Sequence, residues 1–175
     1  MRKLTILIIL VATATVALPQ QMQMPMPKTS GPQSDAQKAF EKLKTLAGSW
    51  EGTYMGMSGK ITIRVTSTGN AILHEMTASG GPDDPITMIY VDGDRLLLTH
   101  FCDSGNRPRM QGRLSPDGNT VTFDFLDVSG SAEKFLMHDA VFTIVDADHH
   151  IEAWTYSLHG KPPIRSPGMQ LQRTK

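Results

Sequence analysis

The spacing of hydrophobic residues along this chain changes at Gly48. Before Gly48, in AQKAFEKLKTLAG, apolar residues recur every three or four positions. This spacing predicts a short amphipathic helix, capped by Ser34 or Asp35 and ended by Gly48. After Gly48 apolar and polar residues alternate, as Ile61 and Ile63 do with their neighbours, and this period of two is typical of β-strands.

The alternating pattern falls into short segments separated by turn sequences such as Gly69-Asn70 and Asp92-Gly93. Such turns favour hairpins, because glycine and asparagine adopt the positive φ that tight turns need. The predicted strands are Trp50–Met57, Lys60–Ser67, Ala71–Ser79, Ile86–Val91, Arg95–Cys102, Arg109–Ser115, Thr120–Val128, Ala140–Val145, His150–Leu158 and Met169–Arg173. The segment SAEKFLMHD, before Ala140, is predicted to be irregular or helical.

About ten sequential hairpin strands indicate an all-β fold. Closing them into an antiparallel up-and-down barrel removes both sheet edges, which an open meander would leave exposed. We therefore predict one barrel domain over residues 37–175, with the short N-terminal helix closing one end.

The first residues have the pattern of a secretory signal peptide. Arg2 and Lys3 precede an apolar run to Leu18, and the small residues Thr15 and Ala17 stand near its end. The run is shorter than the roughly twenty residues of a membrane-spanning helix. We predict a signal peptide over residues 1–17, a disordered linker over 18–36 rich in Pro, Gln, Ser and Met, and export to the periplasm or the extracellular space, with no membrane span in the mature chain.

Charge and cysteine content narrow the classes of partner. The chain has 17 basic and 17 acidic residues, and loss of Arg2 and Lys3 with the signal peptide leaves a net charge of about −2. This balance gives no basis for binding nucleic acid. The single cysteine, Cys102, cannot form an internal disulfide, so it is interpreted as a buried small residue, a free thiol, or a ligand of a metal or dimer.

Gly48-Ser49-Trp50 directly after a helix resembles the opening of the lipocalin–calycin superfamily. The resemblance implies a helix at one barrel end and structural roles for Gly48, Trp50 and a late basic residue across the indole, here Arg173. The Thr-Asp-Tyr motif of classical lipocalins is missing, and ten strands suit the fatty-acid-binding and nitrobindin-like branches better. LTHFCDSGNRPRM and MHDAVFTIVDADHHIEAWTY are similar to exported lipocalin-like bacterial proteins of unknown function, so the resemblance implies no reaction.

Aromatic and methionine residues at alternating positions predict either a solidly filled barrel or one with an apolar cavity. Because ten strands make a filled interior harder to achieve, we predict a cavity. His100 and Arg109 are expected at its rim, where they would orient a polar or anionic group. The predicted ligand-binding residues are His74, Met76, Met88, Tyr90, His100, Arg109, Trp154 and Tyr156. The expected partner is a small hydrophobic or amphipathic anionic ligand.

Two other classes of function stay open at this point. A metal-binding or nitrobindin-like haem protein would use one of the candidate ligands His74, His100 and His138, although no cofactor is predicted. An enzyme would use the cavity as its active site, with Glu152 at the pocket mouth, but no hydrolase, zinc or phosphate-loop motif is present in the sequence and no catalytic residue is assigned.

Overall fold

The computed structural model describes residues 32–54, 56–78, 84–101, 104–133, 135–158 and 161–174. The predicted signal peptide, most of the predicted linker, and Cys102 lie outside these residues. The described elements are α1 (Asp35–Lys44), β1 (Gly48–Tyr54), β2 (Met57–Thr66), a short 3-10 turn (Ser67–Gly69), β3 (Ala71–Ala78), β4 (Ile86–Asp92), β5 (Arg95–Phe101), β6 (Arg107–Leu114), β7 (Thr120–Ser129), β8 (Phe135–Ile144), β9 (His149–Leu158), β10 (Ile164–Arg165) and β11 (Met169–Arg173).

The strands form a closed antiparallel barrel. Strands β1 to β9 pair in chain order, and β11 joins β9 to β1, with Arg173 opposite Trp50 in the register. The two-residue β10 adds to β9 beside the barrel wall. The barrel therefore has ten strands, and the prediction of an all-β antiparallel barrel of about ten strands is confirmed.

Helix α1 is the one α-helix among the described residues. The Ser34 side chain caps it by accepting a hydrogen bond from the Gln37 backbone N–H at 3.1 Å. Its apolar face, with Ala39, Phe40 and Leu43, is buried in the core, and the helix packs against β4, β5 and β6. The helix ends at Lys44 with Thr45 as its C-cap, before the predicted end at Gly48, and Gly48 is the first residue of β1.

Strand β8 corrects one prediction. It begins at Phe135, inside the segment expected to be irregular or helical. Its pairing with β9 shifts between Met137 and Asp139, which marks a bulge. An extra residue at a bulge interrupts the alternation of faces, so the period of two is lost in the sequence although the strand is present.

The barrel interior nearest α1 is filled by its own side chains. Met110, Phe123 and Phe142 are fully buried there with the helix residues. At Gly112 a Cβ atom would lie 2.6 Å from Leu96 and from Phe123, so glycine allows this close packing. The half of the barrel nearest α1 is therefore solidly packed, and the open space lies in the half farther from α1.

Candidate functional site

A cavity of about 330 Å³ lies in the half of the barrel farther from α1. Tyr54 ends β1 and Phe135 begins β8, and both of these strand ends point away from the helix. The cavity is lined by Tyr54, Ile61, Met76, Phe135, Met137, Glu152, Trp154, Tyr156, Ser166 and Met169. Nearly all of these side chains are apolar or aromatic, so the cavity suits an apolar molecule.

The deep wall of the cavity carries one carboxylate held by two histidines. Glu152 projects inward from β9 and its side chain is only 1 % exposed. The Nε2 atom of His74, on β3, lies 3.0 Å from Oε2 and 3.2 Å from Oε1 of Glu152. The Nε2 atom of His150 lies 2.9 Å from Oε1. The contact between His74 and Glu152 therefore crosses the barrel and separates the filled half from the cavity.

Burial and charge act in opposite directions on this cluster. Burial alone would raise the pKa of Glu152, but the charges of and hydrogen bonds from His74 and His150 outweigh it and hold the pKa below its usual value. Burial would lower the pKa of His74, but Glu152 outweighs it and raises the pKa above its usual value. Glu152 is therefore an ionised carboxylate at neutral pH, and its oxygens act only as acceptors.

The cluster leaves two ring nitrogens without a partner among the described residues. The Nδ1 atoms of His74 and His150 are buried and make no hydrogen bond. The His150 ring meets the indole of Trp50 edge-on, with centroids 4.2 Å apart. Both histidines therefore have their polar contact at Nε2, on Glu152, and the rest of each ring is packed among apolar groups.

A third buried histidine lies beside the cluster. His100 on β5 faces inward, its Nδ1 atom is 2.9 Å from the Thr87 hydroxyl, and its ring is 5.3 Å from that of Trp154. Burial, together with the charge of His74, lowers the pKa of His100 to about 4. His100 is thus neutral at physiological pH.

The outer part of the cavity has aromatic walls and a few hydroxyl groups. The rings of Phe135 and Tyr156 stack with centroids 5.3 Å apart. Burial and the nearby Tyr156 raise the pKa of the Tyr54 phenol, although a hydrogen bond to Ser166 opposes the shift. The Ser166 hydroxyl also accepts a hydrogen bond from the Trp154 backbone N–H at 3.0 Å. These hydroxyls are neutral at physiological pH and can donate or accept.

Three predicted ligand-binding residues, Met76, Trp154 and Tyr156, line the cavity. His74 and His100 face the barrel interior and are buried, but they lie behind the cavity wall and hold Glu152 and Thr87. All five of these residues thus lie on the inward faces of their strands. Three of them line the cavity, and the two histidines lie behind its wall.

The placement of the other three predicted ligand-binding residues is corrected. On β4, Thr87 and Ile89 are the buried inward residues, so Met88 and Tyr90 lie on the outer face. Arg109 pairs with Thr99, not with His100, in the register. It lies on the outer face with Met88 and Tyr90.

Arg109 already has a carboxylate partner there. Its Nε donates a hydrogen bond to Asp127 on the neighbouring strand at 2.7 Å, and its Nη2 approaches the other carboxylate oxygen. This pairing raises the pKa of Arg109 above its usual value and lowers that of Asp127. The Arg109 guanidinium therefore lies on the outside of the barrel. It does not form the cavity rim that was predicted for Arg109 and His100.

The residues singled out by the lipocalin resemblance meet at the end of the barrel near α1. The guanidinium carbon of Arg173 lies 4.1 Å from the ring centroid of Trp50. Arg173 also donates hydrogen bonds to the backbone carbonyls of Ala47, Thr45 and Ala147. Gly48 has a φ of 142°, and a Cβ atom there would collide with the guanidinium. These contacts stabilise the fold, and none of the residues that make them lines the cavity.

No histidine among the described residues lines the cavity. His138, the third candidate metal ligand, stacks on Phe125 with centroids 4.7 Å apart, and its Nδ1 contacts Asp139 at 3.1 Å. In this part of the chain no group of three or more His, Cys, Asp or Glu side chains is arranged to hold a metal ion. A histidine that ligates haem axially would have to face the cavity, and among the described residues none of His74, His100 and His138 lines it.

Sequence reasoning missed two parts of this region. The sequence alone indicates no role for His150 and a position at the pocket mouth for Glu152, whereas Glu152 lies on the deep wall of the cavity and His74 and His150 hold it from behind. The spacing of two residues between His150 and Glu152 on one strand is the signal that could have placed both side chains on one face. Asn106, for which no role was predicted, is buried and donates hydrogen bonds to the Ser131 and Phe135 carbonyls.

Comparison with known proteins supports the fold. No protein-family model matches the sequence, and no curated protein matches it. Among solved structures, the crystal structure of Rv2717c from M. tuberculosis is similar, with a TM-score of 0.61 and 14 % sequence identity over 78 % of this chain and 98 % of that one. At this identity the likeness shows the shared barrel fold alone. Within the described residues no helix is long and apolar enough to cross a membrane.

Proposed function

We propose that this protein is an exported, lipocalin-like barrel that binds a small apolar molecule. The observation that carries the proposal is the cavity of about 330 Å³ with its apolar and aromatic lining. Ligand sites in proteins are commonly concave and mostly apolar, with few polar groups, and begin at volumes of about 300 Å³. At the ~30 Å³ that a water-sized group takes in a liquid, the cavity has room for roughly ten non-hydrogen atoms.

The lining residues suit ligand binding in two ways. Trp154 and Tyr156 offer rigid aromatic surface, which desolvates a ligand at a small entropic cost. Met76, Met137 and Met169 have flexible, polarisable side chains that adapt to different shapes. The combination favours an apolar ligand of variable shape over one recognised by many polar contacts.

Exposed apolar residues at the same end of the barrel support entry from this side. Ile164 is 51 % exposed and pairs with the cavity residue Tyr156 in the register, and Leu158, at the end of β9, is 37 % exposed. Met57, at the start of β2, is 52 % exposed. An apolar molecule arriving from solvent or from a carrier would meet these side chains first.

Export and membership of the lipocalin–calycin superfamily are part of the proposal. Export is supported by the basic and apolar pattern of residues 1–17. The superfamily is supported by Gly48-Ser49-Trp50 after a helix, by Arg173 across the indole, and by the closed ten-stranded barrel. These features bear on the fold and on export, whereas ligand binding is supported by the cavity.

Native mass spectrometry of protein purified from its exporting host tests the proposal. We expect a population with a bound small apolar molecule, released on extraction with organic solvent, and uptake of nonanol by the extracted protein. Protein that carries no such molecule and takes up none of a set of nine-carbon compounds would contradict the proposal.

A further inference from the structure

The deep wall of the cavity offers a ligand one charged group, Glu152. We propose that the ligand of this cavity is an apolar molecule that carries a hydrogen-bond donor, a hydroxyl or a protonated amine, which is buried against Glu152, and that a carboxylic acid is disfavoured. This inference rests on the proposed function and specifies its ligand class.

The hydrogen bonds of Glu152 leave room for one more donor. Oε1 accepts from His150 and, at the longer distance of 3.2 Å, from His74, whereas Oε2 accepts from His74 alone. An ionised carboxylate can accept about four hydrogen bonds. Because Glu152 also lines the cavity, a donor on the ligand can fill the remaining capacity of Oε2.

The burial of Glu152 makes this contact selective. Its side chain is 1 % exposed, so a ligand group that reaches the carboxylate loses its own water. A hydroxyl or ammonium regains a charge-assisted hydrogen bond there, while an alkyl end regains none. A second carboxylate placed against Glu152 would bring two like charges together away from solvent, which is costly.

The other polar groups of the region do not compensate an anion. Arg109, the cation expected to bind one, is paired with Asp127 on the outer face. The two imidazoles nearest the cavity direct their Nε2 atoms at Glu152. The hydroxyls of Tyr54 and Ser166 can donate or accept, so they distinguish poorly between ligand classes.

A series of nine-carbon compounds with different head groups tests the inference. Nonanol, nonylammonium, nonanoate and nonane are titrated into the ligand-free protein at neutral pH, and binding is followed by the emission of Trp154 and by calorimetry. Trp50, the other tryptophan, does not line the cavity, but its ring lies 4.2 Å from that of His150, so calorimetry supplies the affinities independently of the emission. We expect nonanol or nonylammonium to bind roughly tenfold or more tightly than nonanoate, the ratio that one charge-assisted hydrogen bond gives.

The variant Glu152→Gln removes the charge with little change of shape. We expect it to bring the affinities for nonanol and nonanoate within about threefold of each other, because the repulsion of the anion is lost. Glu75→Gln is the matched control, since Glu75 lies on β3 next to His74, pairs with Arg64 at the surface, and does not line the cavity. It should leave the preference of the wild-type protein unchanged.

The outcomes separate this inference from the proposed function. Binding of nonane and nonanoate as tightly as of nonanol and nonylammonium would overturn the donor preference and leave the apolar cavity standing. Failure of all four compounds to bind would overturn the proposed function itself. The series in the wild-type protein decides between these results even if Glu152→Gln does not fold.

Discussion

Arg173 lies across the indole of Trp50, with its guanidinium carbon 4.1 Å from the ring centroid, and so joins the last strand of the barrel to the first. The same guanidinium holds the carbonyls of Thr45 and Ala47, which connect α1 to β1. One side chain therefore stabilises the closure of the barrel and the position of the helix.

Replacing Arg173 should destabilise the fold. We expect Arg173→Ala to lower the free energy of unfolding by about 2–4 kcal/mol, because a cation–π contact and several charge-assisted hydrogen bonds are lost together. Arg173→Lys should recover part of the loss, since it keeps the charge but not the planar fork. Urea unfolding measures both, and equal stability of the alanine variant and the wild type would contradict this role.

His100 should make the protein sensitive to mild acid. Its folded pKa of about 4 lies below its usual value of 6.5, so the unfolded chain binds more protons between these pH values. The contribution of neutral His100 is complete above about pH 6.5. It decreases as the pH falls toward 4, by roughly 3 kcal/mol in total.

The variant His100→Asn isolates this effect. An asparagine can keep the contact with the Thr87 hydroxyl, yet it does not titrate. Its free energy of unfolding should therefore fall less steeply from pH 6.5 to 4 than that of the wild type. The pKa of His74 is raised above 6.5, so His74 changes the stability of both proteins above this pH range and its contribution is constant within it. His149→Asn, at a half-exposed histidine paired with Asp146, is the control and should keep the wild-type slope; a wild-type slope in His100→Asn as well would refute the assignment.

Arg109 should have no effect on ligand binding. Because it pairs with Asp127 on the outer face, we expect Arg109→Ala to leave the affinity for nonanol within about twofold of the wild-type value. Calorimetric titration of the two proteins measures this directly. A loss of affinity of tenfold or more would return Arg109 to the ligand site, as the sequence alone suggested.

Asn106 should stabilise the connection between β7 and β8, which leads to the cavity residue Phe135. Its side-chain amide donates to the carbonyls of Ser131 and Phe135 at 3.0 and 2.7 Å, and the residue is buried. We expect Asn106→Ala to cost about 2 kcal/mol, because two hydrogen bonds from a buried side chain are lost together. Asn119→Ala, at an exposed asparagine in another turn, should cost much less; similar losses in thermal unfolding would show that burial of Asn106 contributes little.

The sequence predicts the barrel well because hairpin turns and alternation are local signals. It predicts the inward face less well. Both faces of β4 carry apolar side chains. Met88 and Tyr90 are predicted to face the interior, but the residues that do so are Thr87 and Ile89. Which face closes around the interior depends on the pairing with β3 and β5, and that pairing joins residues distant in the chain.

The candidate site was only partly predictable for a related reason. The aromatic pair Trp154 and Tyr156 indicated the cavity wall through its spacing. The contact between His74 and Glu152 spans 78 positions in the sequence and crosses the barrel. Only the closed structure brings these two side chains together, and the same closure leaves Arg109 outside.

The most direct test of the ligand-binding cavity is a calorimetric titration of nonanol into three proteins: wild type, Met76→Trp and Met88→Trp. Met76 lines the cavity, and Met88 lies on the outer face of the neighbouring strand. We expect the wild type and Met88→Trp to bind nonanol alike, and Met76→Trp, whose indole fills the space, to lose binding while remaining folded. Unchanged binding by a folded Met76→Trp, or no binding by the wild type, would contradict the account.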